Sequence, residues 1–323
     1  MNGELAIEAK GITKFYGKRT ILKDINLRVK KGSVFAVLGP NGAGKTTAVR
    51  ILSTLTKLDS GEVYVAGHAL ALEVGAIRSK ISLTGQYAAV DEKLTGRENM
   101  SMIGELCGIN KKETKERTQQ LLAQFDLLDD ADKISGTYSG GMRRKLDLAM
   151  SLINSPEIIF LDEPTTGLDP RSRRAMWEII GGLRKKGVTI FLTTQYLEEA
   201  DQLADTIIVI DDGVVVAEGT PEELKRRVGD RSLQLTFATQ KEAEVAASLF
   251  KPGDVLSKKG GVTVSIKTDG SVAHTKKVMD TLHAAGSNPS DMTFHAPSLD
   301  EVFFALTGNN DKKKDDSHEN EAI

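Results

Sequence analysis

The feature that most constrains the fold is a glycine-rich segment, GPNGAGKTT at residues 39–47, which follows the apolar run SVFAVL. Such a run is typical of a strand buried on both faces of a parallel sheet. The segment matches G-x-x-x-x-G-K-[ST], a loop whose backbone N–H groups surround phosphate oxygens at the start of a helix. The pattern therefore predicts a nucleotide-binding α/β domain, and the alternative is a glycine-rich turn that holds no ligand.

The chemistry of the loop assigns a role to its individual residues. Gly42 and Gly44 permit backbone geometries that let several N–H groups converge on one anion. Lys45 supplies positive charge to the β and γ phosphates, and the Thr46 hydroxyl is a ligand for Mg²⁺. The residues expected to contact ATP here are Gly39, Pro40, Asn41, Gly42, Ala43, Gly44, Lys45, Thr46 and Thr47.

A second apolar run, IIFL at residues 158–161, ends in Asp162 and Glu163. Ligands of open α/β sheets bind at the carboxyl ends of the strands. Because side chains alternate along a strand, the two carboxylates point different ways. We expect Asp162 to hold Mg²⁺ and Glu163 to polarise the water that attacks the γ-phosphate. Two solvated charges at a strand exit are the alternative, which the preceding phosphate loop makes the weaker one.

The first 220 or so residues divide into three successive segments by their pattern. Strand patterns fill residues 5–38, helical periodicity dominates about 88–154, and strands alternating with helices follow to about 220. This order predicts an α/β nucleotide-binding domain over 1–225, with an antiparallel β subdomain and an inserted helical subdomain.

The C-terminal third has a different pattern. Residues 231–307 read as β-α-β-β-α-β, a small accessory α+β domain that would suit a split β-α-β unit. It ends in SLDEVFFALTG, for which a core helix is favoured over a segment that docks on a partner. Residues 308–323 are polar and charged, and a disordered tail is expected there.

A third motif, TYSGGMRRKLDLAMSL, lies between the other two and resembles the signature of ABC-type ATPases. A Ser-Gly-Gly turn at a helix start is an anion site on physical grounds, although a simple N-cap by Ser139 is an alternative. Arg143, Arg144 and Lys145 are expected on a solvated helix face. Tyr138 and Met142 stand where leucine and glutamine are commoner in that family, and neither change removes an anion donor.

The resemblance covers about residues 5–220, with every motif in order, and it implies further sites. It places Tyr16 on adenine, Gln86 between Mg²⁺ or water and the helical subdomain, and Asp169 beside the nucleotide. Ser139, Gly140 and Gly141 would reach the γ-phosphate held by a second domain of the same kind. YSGGM, TTQYLEEADQLAD and SLDEVFFALTG are similar to the daunorubicin/doxorubicin-resistance type of export ATPase.

The family also implies partners, because the chain carries only one set of motifs. We expect a homodimer that sandwiches two ATP molecules, bound at the cytoplasmic face of the membrane to a separate ABC-2-type permease. Export of an antibiotic rests on the resemblance alone, and a heterodimer is the open alternative to the homodimer. Motion would pass to the permease through the helical subdomain near Gln86 and Tyr87.

Gln195 departs from the family, which usually has histidine at this position after the strand VTIFLTT. An amide donates an N–H to a phosphate oxygen but cannot become cationic or shuttle a proton near neutral pH. We expect a working but slow ATPase whose catalytic residues are Glu163, Gln195, Gln86 and Lys45. A surface loop residue is the disfavoured alternative for Gln195.

Bulk properties exclude several other classes. A net charge of −2 does not favour a nucleic-acid partner, and the single Cys107 cannot form an internal disulfide. No apolar run reaches the 18 or so residues of a membrane span, and the N-terminus does not resemble a secretory signal. The alternatives to an exporter subunit are an ABC protein that acts on ribosomes or DNA without a permease, and a nucleotide-sensing module with little hydrolysis.

Overall fold

The computed structural model describes residues 4–86, 88–229, 231–259 and 261–304. It divides into two compact units, Met1–Pro221 and Glu222–Ile323. The expected tail at 308–323, the end of SLDEVFFALTG and Tyr87 lie outside the described residues.

The first unit contains ten strands and seven α-helices among its described residues. In chain order they are β1 (Leu5–Tyr16), β2 (Arg19–Lys30), β3 (Val34–Leu38), α1 (Lys45–Leu52), β4 (Ser60–Val65), β5 (His68–Ala69), α2 (Val74–Arg78), β6 (Ile81–Thr84), α3 (Gly96–Leu106), α4 (Lys111–Gln124), α5 (Gly140–Ser151), β7 (Ile158–Asp162), α6 (Pro170–Lys185), β8 (Thr189–Thr194), α7 (Leu197–Leu203), β9 (Thr206–Asp211) and β10 (Val214–Gly219). A 3₁₀ turn at Ser135–Thr137 precedes α5.

Two sheets form the core of this unit. An antiparallel sheet has the order β2-β1-β4-β5, and a six-stranded sheet has the order β10-β9-β3-β8-β7-β6. In the second sheet every neighbouring pair is parallel except β10 with β9. The residues of β3, β7 and β8 are all buried, as the central strands of a sheet covered on both faces require. Phe191 stacks on Phe35 at 5.6 Å and tilts against Phe160 at 5.5 Å, so aromatic packing joins the three central strands.

Helices α3 to α5 lie between β6 and β7 in the chain, which confirms the predicted insertion of a helical part into an α/β fold. Thr95 and Glu98 form a capping box that starts α3. Tyr138 is buried where leucine is commoner, and its hydroxyl donates to Asp130 O at 2.6 Å. The larger side chain is accommodated because Gly96 faces it: a Cβ at Gly96 would lie 2.5 Å from the Tyr138 hydroxyl.

The second unit is an α+β module. Its elements are α8 (Pro221–Val228, which begins one residue before the unit), β11 (Ser232–Thr236), α9 (Gln240–Ser248), β12 (Val255–Lys259), β13 (Thr263–Lys267), α10 (Val272–Ala284) and β14 (Asp291–His295). The antiparallel strands run in the order β12-β13-β11-β14, in which β13 lies between β11 and β12. This arrangement is that of a split β-α-β unit. Helices α9 and α10 contribute Ala246 and Leu282 to a core that includes Leu233 and Ile266.

Candidate active site

The phosphate loop follows β3 and ends where α1 begins at Lys45. Gly44 stands at the N-cap with φ of 107°, and a Cβ there would lie 2.6 Å from Leu22 Cδ2. A Cβ at Gly39 would lie 2.3 Å from the carbonyl oxygen of Ile210. Glycine is therefore required at both ends of the loop for conformational or steric reasons. No side chain caps α1, so its first N–H groups and its positive dipole end are directed to the loop.

Lys45 lies at the centre of this loop and is almost completely buried. Its Nζ donates to Gly39 O at 2.8 Å and to Pro40 O at 3.1 Å, and it lies 3.5 Å from Glu163 Oε1. Burial lowers the pKa of the Lys45 ammonium, whereas the carboxylates of Glu163 and Asp162 oppose that shift. A single cation is thus placed between the loop carbonyls and the carboxylate at the end of β7.

Asp162 is the last residue of β7 and is buried. Its Oδ1 accepts from the Thr46 hydroxyl at 3.2 Å and from the Thr193 hydroxyl at 2.5 Å. Two hard oxygen donors, from α1 and β7, therefore lie side by side, which is the donor chemistry that Mg²⁺ prefers. Thr193 is a residue that sequence reasoning did not single out.

Glu163 adopts a left-handed backbone conformation with φ of 50°. Its N–H donates to the carbonyl oxygen of Thr193 at 3.1 Å and to the hydroxyl of Thr193 at 3.1 Å. Non-glycine residues rarely occupy this region, and they persist there where the surroundings hold them, often at functional sites. The strained backbone directs the Glu163 side chain toward Lys45 rather than into solvent.

A cavity of about 350 Å³ lies beside the phosphate loop. It is lined by Tyr16, Arg19, Ile21, Asn41, Gly42, Gly44, Lys45, Thr46, Thr47, Gln86 and Glu163. The structure therefore brings Tyr16, Gln86 and Glu163 to the same space as the phosphate loop, although they are far apart in sequence. Arg19 and Ile21 were missed, and their signal was that β2 begins directly after the turn that follows Tyr16.

Tyr16 and Gln195 differ in their relation to this cavity, because Tyr16 lines it and Gln195 is not among its described lining residues. Tyr16 is 51% exposed, so one face of its ring is free to stack, and Lys14 Nζ lies 5.5 Å from the ring centroid. Gln195 directly follows β8, two residues after Thr193, and is half-buried. Among the described residues, the cavity lining does not include it.

The predicted signature residues lie outside the described lining of this cavity. Ser139 is exposed and caps α5 by accepting from Met142 N at 3.2 Å. Gly141 faces the start of α6, where a Cβ would lie 2.6 Å from Ser172 Oγ. Asp169 caps α6 by accepting from Arg171 N and Ser172 N, and the Ser172 hydrogen bonds lower the pKa of its carboxyl.

Gly140 is also exposed, and none of Ser139, Gly140, Gly141 and Asp169 is among the described residues that line the cavity. Within one chain, these four residues therefore do not contribute to the phosphate-loop cavity.

The expectation of a solvated face for residues 143–145 is wrong for Arg144. Arg143 and Lys145 are partly exposed and pair with Glu92 at 2.8 Å and Asp126 at 3.7 Å. Arg144 is only 7% exposed, and burial lowers the pKa of its guanidinium. The helix therefore turns the middle residue of a basic run into the protein.

Among the described residues, no group of three or more His, Cys, Asp or Glu side chains is arranged to hold a metal ion. No helix in that part of the chain combines the length and the apolar character that crossing a membrane demands.

The fold and the site together define a class: an ATPase with a phosphate-binding loop, two carboxylates at the end of a strand two positions away in the same sheet, and an inserted helical subdomain. The family model described as ABC transporter matches residues 22–166. The chain is 44% identical over 97% of its length to the daunorubicin resistance ATP-binding protein DrrA3 of Streptomyces coeruleorubidus, covering 99% of that protein. It is 42% identical to the daunorubicin/doxorubicin resistance ATP-binding protein DrrA of Streptomyces peucetius, with 98% of each chain covered.

Solved structures agree at the level of the nucleotide-binding domain. An ATP-binding subunit of an ABC transporter superposes with a TM-score of 0.62 and 27% identity, covering 69% of this chain and 93% of that chain. A dimeric ATP-binding cassette in a post-hydrolysis state, bound to ADP and phosphate, superposes with a TM-score of 0.61 and 28% identity. The match covers 66% of this chain and 98% of that chain. The chain therefore belongs to the ATP-binding proteins of ABC transporters, among those similar to the daunorubicin/doxorubicin-resistance type, and it binds and hydrolyses ATP.

Proposed function

We propose that this ATPase energises the export of a drug-like or hydrophobic substrate through a separate ABC-2-type permease, at the cytoplasmic face of the membrane. The names of its relatives support this proposal, since they include drug-resistance ATP-binding proteins and a linearmycin resistance ATP-binding protein of Bacillus subtilis that is 37% identical. The observation that carries the proposal is the cavity that unites the phosphate loop with Gln86 and Glu163. Gln86 lines this cavity and precedes the helical subdomain in the chain, so it is suited to couple nucleotide to permease.

Magnesium fits the oxygen donors at this site. Thr46 and Asp162 would hold the ion, and Gln86, which lines the same cavity, would offer its amide oxygen. When bound with ATP, Mg²⁺ neutralises negative charge on the β and γ phosphates. The short contacts between Asp162 and the hydroxyls of Thr46 and Thr193 keep the carboxylate oriented toward the loop.

The hydrolytic step depends on the residues that directly follow β7 and β8. Glu163 accepts a hydrogen bond from the attacking water and orients it, while Lys45 offsets the charge of the γ-phosphate. Gln195 donates an amide N–H to a phosphate oxygen in place of histidine. Tyr16 stacks on the adenine through the exposed face of its ring.

Dimerisation would complete the site. Ser139 and Gly140 are exposed at the start of α5, Gly141 is half-buried there, and all three lie outside the described lining of the chain's own cavity. In a head-to-tail pair they would contact the γ-phosphate bound by the partner, and Asp169 would lie beside it. The dimeric cassette among the similar structures supports this arrangement, and a homodimer is the simplest form for a chain with one set of motifs.

Two measurements test the proposal. Purified protein should release phosphate from ATP, and Glu163→Gln should abolish turnover while retaining ATP binding, whereas Glu178→Gln, an exposed glutamate on α6, should behave as wild type. Expression with its permease should lower the accumulation of a fluorescent anthracycline in cells, and the Glu163→Gln variant should not. ATP turnover without any permease-dependent efflux would favour a role that does not involve export.

A further inference from the structure

Helix α5 carries a buried ion pair one turn beyond its exposed N-terminus. Arg144 and Asp147 are 7% and 5% exposed, and Arg144 Nη1 lies 3.4 Å from Asp147 Oδ2. Ser139, the proposed contact with the partner's nucleotide, caps the same helix. The signature and the buried pair thus belong to one rigid element.

The Arg144 guanidinium binds backbone carbonyls from two segments of the active site. Nε donates to Pro164 O at 2.9 Å, and Nη2 donates to the carbonyl oxygens of Asp162 at 3.3 Å and Glu163 at 3.4 Å. Nη1 donates to Gly85 O at 2.7 Å. A lysine could not reproduce this, because it presents one nitrogen rather than a planar fork.

Asp147 holds the other side of the same loop. Its Oδ1 accepts from Ala89 N at 2.9 Å, while Arg144 holds Gly85. The pair therefore holds the backbone on both sides of Gln86, at positions 85 and 89. Burial raises the pKa of the Asp147 carboxyl, and the bonds from Ala89 and Arg144 oppose that shift.

Glu163 needs support of this kind. Its φ of 50° is held from one side by Thr193 on β8 and from the other by Arg144 on α5. A strained backbone stays in place only where its surroundings fix it. Movement of α5 would therefore reach Glu163 and Gln86 together.

We propose that Arg144 and Asp147 are positioning residues that set Gln86 and Glu163 jointly and link them to Ser139 on the same helix. Engagement of Ser139 by the partner's nucleotide would then be transmitted through α5 to the chain's own hydrolytic site. The link to Ser139 rests on the proposed dimer, whereas the positioning of Glu163 and Gln86 depends only on contacts within one chain.

A double-mutant cycle separates positioning from stability. Arg144→Gln or Asp147→Asn alone leaves a buried charge without its partner and should lower the melting temperature. The double variant removes both charges and should recover most of that temperature. If the pair positions the site, kcat stays about 10- to 100-fold below wild type in the double variant, with the KM for ATP within about threefold. Recovery of kcat together with the melting temperature would overturn the inference.

Three further variants extend the test. Arg144→Lys keeps the charge beside Asp147 and should fold, yet it should lose most of kcat; wild-type turnover in it would contradict the proposal. Lys145→Gln removes the neighbouring positive charge of α5 and should keep wild-type kcat. Ser139→Ala combined with the double variant should lose less than the product of the separate losses, and multiplicative losses would overturn the link to Ser139.

Failure of the proposed dimer is detected separately. Glu163→Gln should dimerise with ATP in size-exclusion chromatography, and it should still do so when Arg144→Gln and Asp147→Asn are added. If Glu163→Gln alone stays monomeric with ATP, the proposed dimer fails and with it the link to Ser139. The kcat and KM of the Arg144 variants then still decide whether the pair positions the site.

Discussion

Replacing Thr193 by valine asks whether the carboxylates at the end of β7 are held in place from β8. Valine matches threonine in shape and removes only the hydroxyl. That hydroxyl is completely buried, donates to Asp162 Oδ1 at 2.5 Å and accepts from Glu163 N at 3.1 Å. One substitution therefore removes contacts to both acidic residues and leaves packing intact.

The size of the effect follows from what remains. Asp162 keeps the Thr46 hydroxyl at 3.2 Å, and the Glu163 N–H keeps the Thr193 carbonyl at 3.1 Å. The main loss is one hydrogen bond to a charged group, worth about 1.5–3 kcal/mol. For a unit of this size, a loss of about 2 kcal/mol lowers the melting temperature by about 4–8 °C. If about 1.4 kcal/mol of this stabilisation is also lost from the transition state of hydrolysis, kcat falls about tenfold.

Thr189→Val is the matched control because it makes the same change at the other end of β8. The Thr189 hydroxyl is buried and accepts from Gly32 N at 3.0 Å, away from the site. This control removes the hydrogen-bond partner of a half-buried N–H, so it should lose about 0.5–1.5 kcal/mol of stability and keep its kcat. Thermal unfolding and steady-state phosphate release measure both quantities. If Thr193→Val turns over ATP as fast as Thr189→Val, the hydroxyl does not position the carboxylates.

Three other changes test separate parts of the structure. Gly44→Ala forces a Cβ to 2.6 Å from Leu22 at a positive φ, so it should weaken ATP binding at least about tenfold in a fluorescent-nucleotide titration, whereas Gly17→Ala, with φ of 59° and open space, should not. Burial raises the pKa of the Glu199 carboxyl in the folded state. The free energy of unfolding therefore falls as the pH rises from the unfolded-state pKa of about 4.3 through the raised folded-state pKa. Glu199→Gln should therefore show a flatter dependence of melting temperature on pH between 4 and 8 than wild type, and an unchanged slope would contradict the raised pKa. Wild-type kcat should show no limb with a pKa near 6.5, and Gln195→His should introduce one; a limb already present in wild type would count against the amide acting without proton transfer.

The local parts of the site could be predicted because each is encoded within a few residues. The loop at residues 39–47 needs only its own glycines, a preceding buried strand and a following helix, and all of these are visible in sequence. Asp162 and Glu163 could be placed at a strand end for the same reason. The insertion of helices between β6 and β7 was also readable, since the period of the apolar residues changes there from strand-like to helical.

Arg144 could not be placed correctly because three consecutive basic residues resemble a solvated surface. Helical spacing held a weaker signal: Asp147 and Leu148 follow Arg144 by three and four residues, so the three share a face, and both Asp147 and Leu148 are buried. A basic residue that shares a helix face with an aspartate and a leucine is more consistent with a buried ion pair than with a solvated side chain. Its backbone partners at 85 and 162–164 come from distant segments, and no local pattern points to them.

Thr193 shows a different limit, which is the order of strands in space. The sheet pairs β8 with β3 on one side and β7 on the other, so Asp162 lies opposite Thr193 and Leu38 lies opposite Thr194. A strand that comes late in the chain is thus placed between the phosphate loop and the acidic strand end. Periodicity predicts a parallel sheet but not which strand lies between which. The same order explains the position of Gln195, which follows β8 two residues beyond Thr193. Because β8 lies between β3 and β7, the residue at position 195 leaves the sheet between the strand that precedes the phosphate loop and the strand that ends in Asp162.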